Sequence, residues 1–193
     1  MAAILRDLVR PPVRVLFVGI NPGIRSAAIG HHFAGYSNQF WKLLFESHLV
    51  PEPIGTEDDH RLLDWGYGLT NLITRATPGI NTLRPQEYVA GEAALRLKVR
   101  RWEPTIVALV GVTLFRAIFH VSPSTRVTCG WLRQRTFEGA QVFVLPNPSG
   151  RNAHFSHRDM LKPYRALAGR VRRLAAHDEG VQMDDSGGVD APG

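Results

Sequence analysis

The stretch Val13-Arg14-Val15-Leu16-Phe17-Val18-Gly19-Ile20 is a nearly unbroken apolar run, rich in β-branched residues. Such a run reads as a strand buried on both faces, as in a parallel sheet covered by helices. Residues 105–110 and 142–145 repeat the pattern, and 68–73 is a shorter candidate strand. Between these runs the spacing turns helical. In residues 38–48 the apolar positions are Phe40, Trp41, Leu44 and Phe45, and Ser37 is placed to cap the helix. Residues 58–63 read as a short helical turn, with Asp58 and Asp59 near its positive dipole end. In residues 85–102, Tyr88, Leu95, Val99 and Trp102 share one face, and Pro85 suits the first turn. A further helix runs from Gly111 through Phe119. The last opens at Ser156, with Asp159 three residues on as a capping-box variant. Leu161, Tyr164, Leu167, Val171 and Leu174 line its inner face. Strands alternating with helices predict an α/β fold: a three-layer αβα sandwich around a central, mainly parallel sheet.

Length and charge narrow the possibilities. A chain of 193 residues fits one domain with a sizeable core. No apolar run is long enough to span a bilayer, and residues 1–10 carry no export signal. Cys129 is the single cysteine, so no internal disulfide and no cysteine-held zinc or iron–sulfur site is open to the chain. A cytoplasmic, monomeric protein without metal or cofactor is the expectation. Five of the 17 acids (Asp178, Glu179, Asp184, Asp185 and Asp190) lie after His177, where Lys and Arg are absent. Residues 1–177 therefore carry all 23 basic residues, mostly Arg, against 12 acids. A body this basic suits a polyanion such as nucleic acid, although a solvated basic surface has the same composition. Residues 178–193 are Gly-, Asp- and Ser-rich without periodicity and read as a disordered acidic tail after a single domain over 1–177.

In open parallel sheets the ligand sits at the carboxyl ends of the strands. Two such ends carry similar loops. In Gly19-Ile20-Asn21-Pro22-Gly23, Pro22 fixes its own φ and biases Asn21 away from helix, which holds a short amide rigidly at the strand end. Asn does not titrate, but its carbonyl oxygen can orient a water. Ordinary turn chemistry uses the same residues. In Asn147-Pro148-Ser149-Gly150-Arg151-Asn152 the small and polar residues allow close approach to a phosphate or base, and Arg151 can fill a gap in a base stack or clamp a phosphate. Between them, Gly30-His31-His32-Phe33-Ala34-Gly35-Tyr36-Ser37-Asn38-Gln39-Phe40-Trp41 mixes aromatics, amides and glycines. Phe33 offers a face for a flipped base, and Asn38 can read a pyrimidine edge. His31 and His32 can contact phosphate or water. Asn71 closes the strand at 68–73 and can face the same cleft. No Ser–His–Asp arrangement, Walker A loop or HExxH motif is present.

Four of these segments, GINPG at 19–23, GHHFAGYSNQFWK at 30–42, GLTN at 68–71 and LPNPSG at 145–150, stand in an order and spacing that resembles the mismatch-specific uracil-DNA glycosylase and thymine-DNA glycosylase family of the uracil-DNA glycosylase superfamily. The similarity spans about residues 13–174. The GHH segment and Asn71 look closer to the thymine-DNA glycosylase branch, and NPSG to the bacterial mismatch-specific branch. The resemblance implies a uracil-DNA glycosylase-like fold and a cofactor-free enzyme acting on double-stranded DNA with a mispaired or damaged pyrimidine. It implies that Asn21 positions the attacking water and that Phe33 stacks on the flipped base. Gly19, Ile20, His32, Asn38, Asn71 and Asn147 then belong to the base pocket, and Ser149, Gly150, Arg151 and Asn152 to the wedge that enters the duplex. Two departures touch specificity. Arg151 stands where bacterial relatives can carry an apolar wedge, and Ser26 where a small apolar residue can face a thymine methyl group. The expected reaction is hydrolysis of the N-glycosidic bond of uracil, more slowly of thymine or modified cytosine, initiating base excision repair. Three other readings use the same loops: a lesion-binding module that does not cut, a deaminated-purine glycosylase on the same fold, and a phosphate-binding α/β protein.

Overall fold

The structure, a computed structural model, describes residues 4–150 and 155–184, with side chains described as far as His177. Five strands form one sheet in the order β2-β1-β3-β5-β4, where β1 is Val15–Gly19, β2 Tyr67–Asn71, β3 Ile106–Val110, β4 Gly130–Phe137 and β5 Ala140–Leu145. The pairs β1–β2, β1–β3 and β3–β5 are parallel, and β4 runs antiparallel to β5 at one edge. The α/β sandwich with a mainly parallel sheet is thus the observed architecture.

Alternation along the strands explains why the apolar runs are nearly continuous. Val15 and Phe17 point to one core, with Tyr67, Leu69, Ile106, Ala108 and Phe143. Leu16 and Val18 point to the other, with Val107, Leu109, Val142 and Val144. Helices α2 (Phe40–Glu46) and α5 (His157–Asp184) cover the first core, and α3 (Pro85–Trp102) and α4 (Val112–Phe119) the second. Successive strand residues face opposite layers, and each layer is closed by a helical stripe. Leu161, Tyr164, Leu167 and Val171 of α5 are buried there as the spacing predicted, with Leu174 packed at the margin. The Ser156 hydroxyl accepts from the Asp159 N–H at 3.2 Å and donates to the Asp159 carboxylate at 2.7 Å, which closes the helix start.

Several local expectations are corrected. Helix α2 starts at Phe40 rather than 38, and Ser37 does not cap it. The Asn38 side-chain Oδ1 accepts the Phe40 N–H at 2.9 Å instead. A short helix α1 (Ile24–Ile29) and the edge strand β4 were not legible. In β4, Arg133, Gln134, Arg135 and Thr136 are all exposed, so it lacks the alternation that marks a half-buried strand. Helix α5 runs to Asp184, past His177, where the periodic reading stopped.

Residues 4–10 lie along the free side of β2. Leu8 and Leu69 exchange backbone hydrogen bonds at 2.9 and 2.8 Å. Asp7 is tied to Lys98 at 2.9 Å and accepts from the Thr70 hydroxyl at 2.5 Å.

Candidate active site

The carboxyl ends of β1, β2, β3 and β5 open into one cleft of about 1040 Å³. Parallel strands send all four loops to the same side, which is why Gly19, Ile20, Asn21, Asn71, Asn147 and Ser149 meet there despite their sequence separation. His32, Phe33 and Asn38 close the cleft from the segment before α2. Another hollow of about 930 Å³ lies at the opposite pole, beside Arg14, Trp65 and Arg172, and contains none of the expected site residues.

Asn21 is held by three acceptors. Its Nδ2 donates to Thr77 Oγ1 at 2.7 Å, to the Pro22 carbonyl at 3.1 Å and to the Arg75 carbonyl at 3.2 Å. The Thr77 hydroxyl spends its own proton on the Gly79 carbonyl at 2.8 Å, so toward Asn21 it can only accept. That fixes which end of the amide is which. Nδ2 is turned into the protein, and Oδ1 is the end left to take a hydrogen bond. Thr77 is itself buried, and its N–H binds the Pro22 carbonyl at 3.1 Å. Sequence reasoning missed Thr77. The signal available was Thr77-Pro78-Gly79, a turn-forming triplet shortly after Asn71.

The floor of the cleft is tight. A Cβ on Gly19 would lie 2.6 Å from Asn71 Oδ1 and 3.8 Å from the Phe33 ring, so only glycine fits there. Phe33 has φ 51° and stacks on Phe40, with centroids 3.9 Å apart and planes at 19°. Phe40 is fully buried, and it backs one face of the Phe33 ring. Asn38 spends Oδ1 on Phe40, so Nδ2 is what it can offer a ligand. The Asn147 Oδ1 accepts the Ser149 N–H at 3.0 Å, which shapes the second loop. The Gln39 N–H binds the Pro148 carbonyl at 2.9 Å and joins that loop to the start of α2. Arg151 and Asn152 lie outside the described residues.

His32 is buried, and burial pushes its pKa below the ordinary histidine value. Its Nε2 lies 2.9 Å from the Arg6 carbonyl, an acceptor only, so the neutral ring carries its proton on Nε2. Asp59 binds the His32 N–H at 3.2 Å and His31 Nδ1 at 3.0 Å, which ties both histidines to the 3-10 helix Thr56–Trp65. The first-turn placement of Asp59 is as expected, but its buried carboxylate serves the histidines, while Asp58 caps the Gly55 N–H. Ser26 lines the cleft, and its hydroxyl accepts the Ala34 N–H at 3.0 Å.

Among the described residues no Asp or Glu lines the cleft, whereas Arg25 and Arg116 do. Many other arginines are neutralised away from it, as in Arg10–Asp64, Arg75–Glu87 and Arg96–Glu92. The result is a polar, cationic cleft without a carboxylate base, suited to an anionic ligand and to water orientation by an amide.

An α/β sandwich with a cleft at the carboxyl ends of its parallel strands belongs to the broad class of folds that bind their ligands there. A family model for the uracil DNA glycosylase superfamily matches residues 7–168. The chain belongs to that superfamily, and membership implies the coarse activity, a DNA glycosylase acting on DNA. The fold is also similar to the solution NMR structure of a provisionally assigned uracil DNA glycosylase from Methanosarcina acetivorans. The TM-score is 0.61 at 16% identity, over 89% of this chain and 98% of that one.

Proposed function

We propose that the chain is a monofunctional glycosylase that hydrolyses the N-glycosidic bond of uracil, and more slowly of thymine or modified cytosine, in mismatched double-stranded DNA. The observation that carries this reading is Asn21, whose Nδ2 is locked by Thr77, Arg75 and Pro22 so that Oδ1 remains to bind water in a cleft lined by no acid among the described residues. The extruded pyrimidine stacks on the free face of Phe33. Oδ1 aims a water at the sugar carbon C1′, the C1′–N bond breaks with its electron pair leaving on the base, and the water oxygen bonds to C1′. The proton this oxygen sheds is lost to solvent, while the base anion takes one up from solvent. Backbone N–H groups of the first loop and the Asn38 amide stabilise the departing charge, a preorganised electrostatic effect. Neutral His32 gives its only ring proton to Arg6 and is not the acid. With a positioned but unactivated water, the rate depends on the leaving group, so uracil is cut faster than thymine. Extrusion costs least for a base already mispaired, which favours mismatched substrates.

Single-turnover cleavage of G·U, A·U, single-stranded U, G·T and hypoxanthine substrates tests this reading. Asn21→Ala is expected to lose about a hundredfold in rate, the scale of a misplaced reactant, while keeping DNA affinity. Full activity in Asn21→Ala would assign the water to another residue. A wild type that leaves G·U uncut at excess enzyme would make the chain a lesion-binding module, and preference for hypoxanthine would make it a deaminated-purine glycosylase.

A further inference from the structure

Tyr36 is 92% exposed, more than any other large hydrophobic residue among those described. The Asn38 N–H donates to the Gly35 carbonyl at 2.9 Å, so Tyr36 occupies the first corner of a turn that throws its ring outward. Behind the ring lies Arg25, with its guanidinium carbon 4.2 Å from the ring centroid. The Arg25 Nε is buried without a hydrogen-bond partner, and no carboxylate pairs with this arginine among the described residues. Both residues line the mouth of the cleft that holds Asn21 and Phe33. The turn is not loose, because its next residue, Ser37, abuts the second loop, where a Cβ on Gly150 would lie 2.8 Å from the Ser37 carbonyl oxygen.

We propose that Tyr36, supported by Arg25, is a stacking platform for the nucleobase next to the extruded one, on the same strand. The inference rests on the DNA glycosylase reading and adds to it a contact outside the base pocket. Removing one base from a duplex leaves its neighbour without a stacking partner. Next to Gly150 of the second loop, the turn at Tyr36 presents a ring backed by Arg25. An aromatic held at a turn corner loses little freedom on binding, and an unpaired guanidinium behind it adds attraction for the backbone. Every base has a π-face, so this contact strengthens binding without reading sequence.

The test uses a duplex with a tetrahydrofuran abasic analogue opposite guanine, which presents the opened state without cleavage. A second duplex carries 5-iodouracil, paired with adenine, beside the analogue for photocrosslinking. Tyr36→Ala is expected to weaken affinity by about tenfold, the scale of one lost base–aromatic stack, with Tyr36→Phe within about twofold of wild type. The single-turnover rate at saturating enzyme stays within about threefold, since the platform acts in binding rather than in bond breaking. The crosslink should map to Tyr36. Equal affinity in Tyr36→Ala, a crosslink confined to other residues, or a Tyr36→Phe variant as weak as Tyr36→Ala would each overturn the proposal. A wild type that crosslinks through Tyr36 yet cleaves no base leaves the platform standing and removes the glycosylase reading. Cleavage with no effect of Tyr36→Ala on affinity removes the platform alone.

Discussion

Thr77 shows how much a single hydroxyl decides at this site. Its oxygen accepts from Asn21 and its proton goes to Gly79, so the direction of the hydrogen-bond chain is set by which atoms can donate. Thr77→Val keeps the shape and deletes the acceptor. The Asn21 amide then retains only two backbone carbonyls and is free to rotate, and single-turnover cleavage is expected to fall about tenfold or more. DNA affinity should be unchanged, and Thr77→Ser should restore the rate to within a few-fold. Wild-type cleavage by Thr77→Val would show that Asn21 is held by its backbone contacts alone. At this scale the meeting of Asn21, Phe33, Asn38 and Asn71 at one cleft was legible in the sequence, because each sits at a strand end or in a segment with unusual residue chemistry. Thr77 was not legible. Its importance comes from where the chain returns after β2, which the Thr77 N–H to Pro22 contact and the Asn21–Thr77 hydrogen bond reveal. The hydrogen-bonding direction of Asn38 was hidden for the same reason.

At the scale of elements, the contact between the second loop and the segment before α2 is the one to break. Gly150 packs against Ser37 so closely that any side chain must push the two apart. His157 at the start of α5 reinforces the joint, with Nδ1 2.6 Å from Gln39 Oε1 and Nε2 2.5 Å from Glu46 Oε2. Gly150→Ala is expected to displace the loop and lower cleavage of mismatched duplexes. Because both partners lie at the surface, the melting temperature should move little. Retained cleavage in Gly150→Ala would mean that activity does not depend on this joint. The central strands β1, β3 and β5 were readable because burial on both faces demands apolar runs. Strand β4 was not, since an edge strand need bury only one side and here exposes Arg133 and Arg135. Helix α1 has only six residues, too few for periodicity to emerge.

For the whole molecule, the buried histidine links stability to pH. Burial lowers the His32 pKa from the ordinary histidine value of 6.5, so below that value the unfolded chain binds a proton that the folded chain resists. The stabilisation is complete above the unfolded pKa and is lost as pH falls toward the lowered folded one. The melting temperature is therefore expected to drop as pH decreases below about 6.5, and His32→Gln should flatten that part of the curve. An unchanged slope in the variant would place the acid sensitivity elsewhere than His32. The hydrogen bond from His157 to Glu46 holds that carboxyl below its usual value, so its contribution is lost only at lower pH, below the ordinary carboxylate range. Cleavage should show no break from a carboxylate base, because none lines the cleft among the described residues.

The two margins of the sheet are guarded in different ways, and this bears on how the protein survives at high concentration. An open row of strand amides is a template on which another unfolded or partly folded copy can add itself. On the β2 side residues 4–10 already occupy that template, clamped by Leu8 against Leu69 and by Asp7 against Lys98. On the β4 side two exposed arginines repel an incoming copy of the same strand. Clipping residues 4–10 would leave the charged margin intact and bare the other. Self-association of the clipped chain would then start at β2, and because a bared strand edge recruits another copy by main-chain pairing, added salt would not be needed to provoke it.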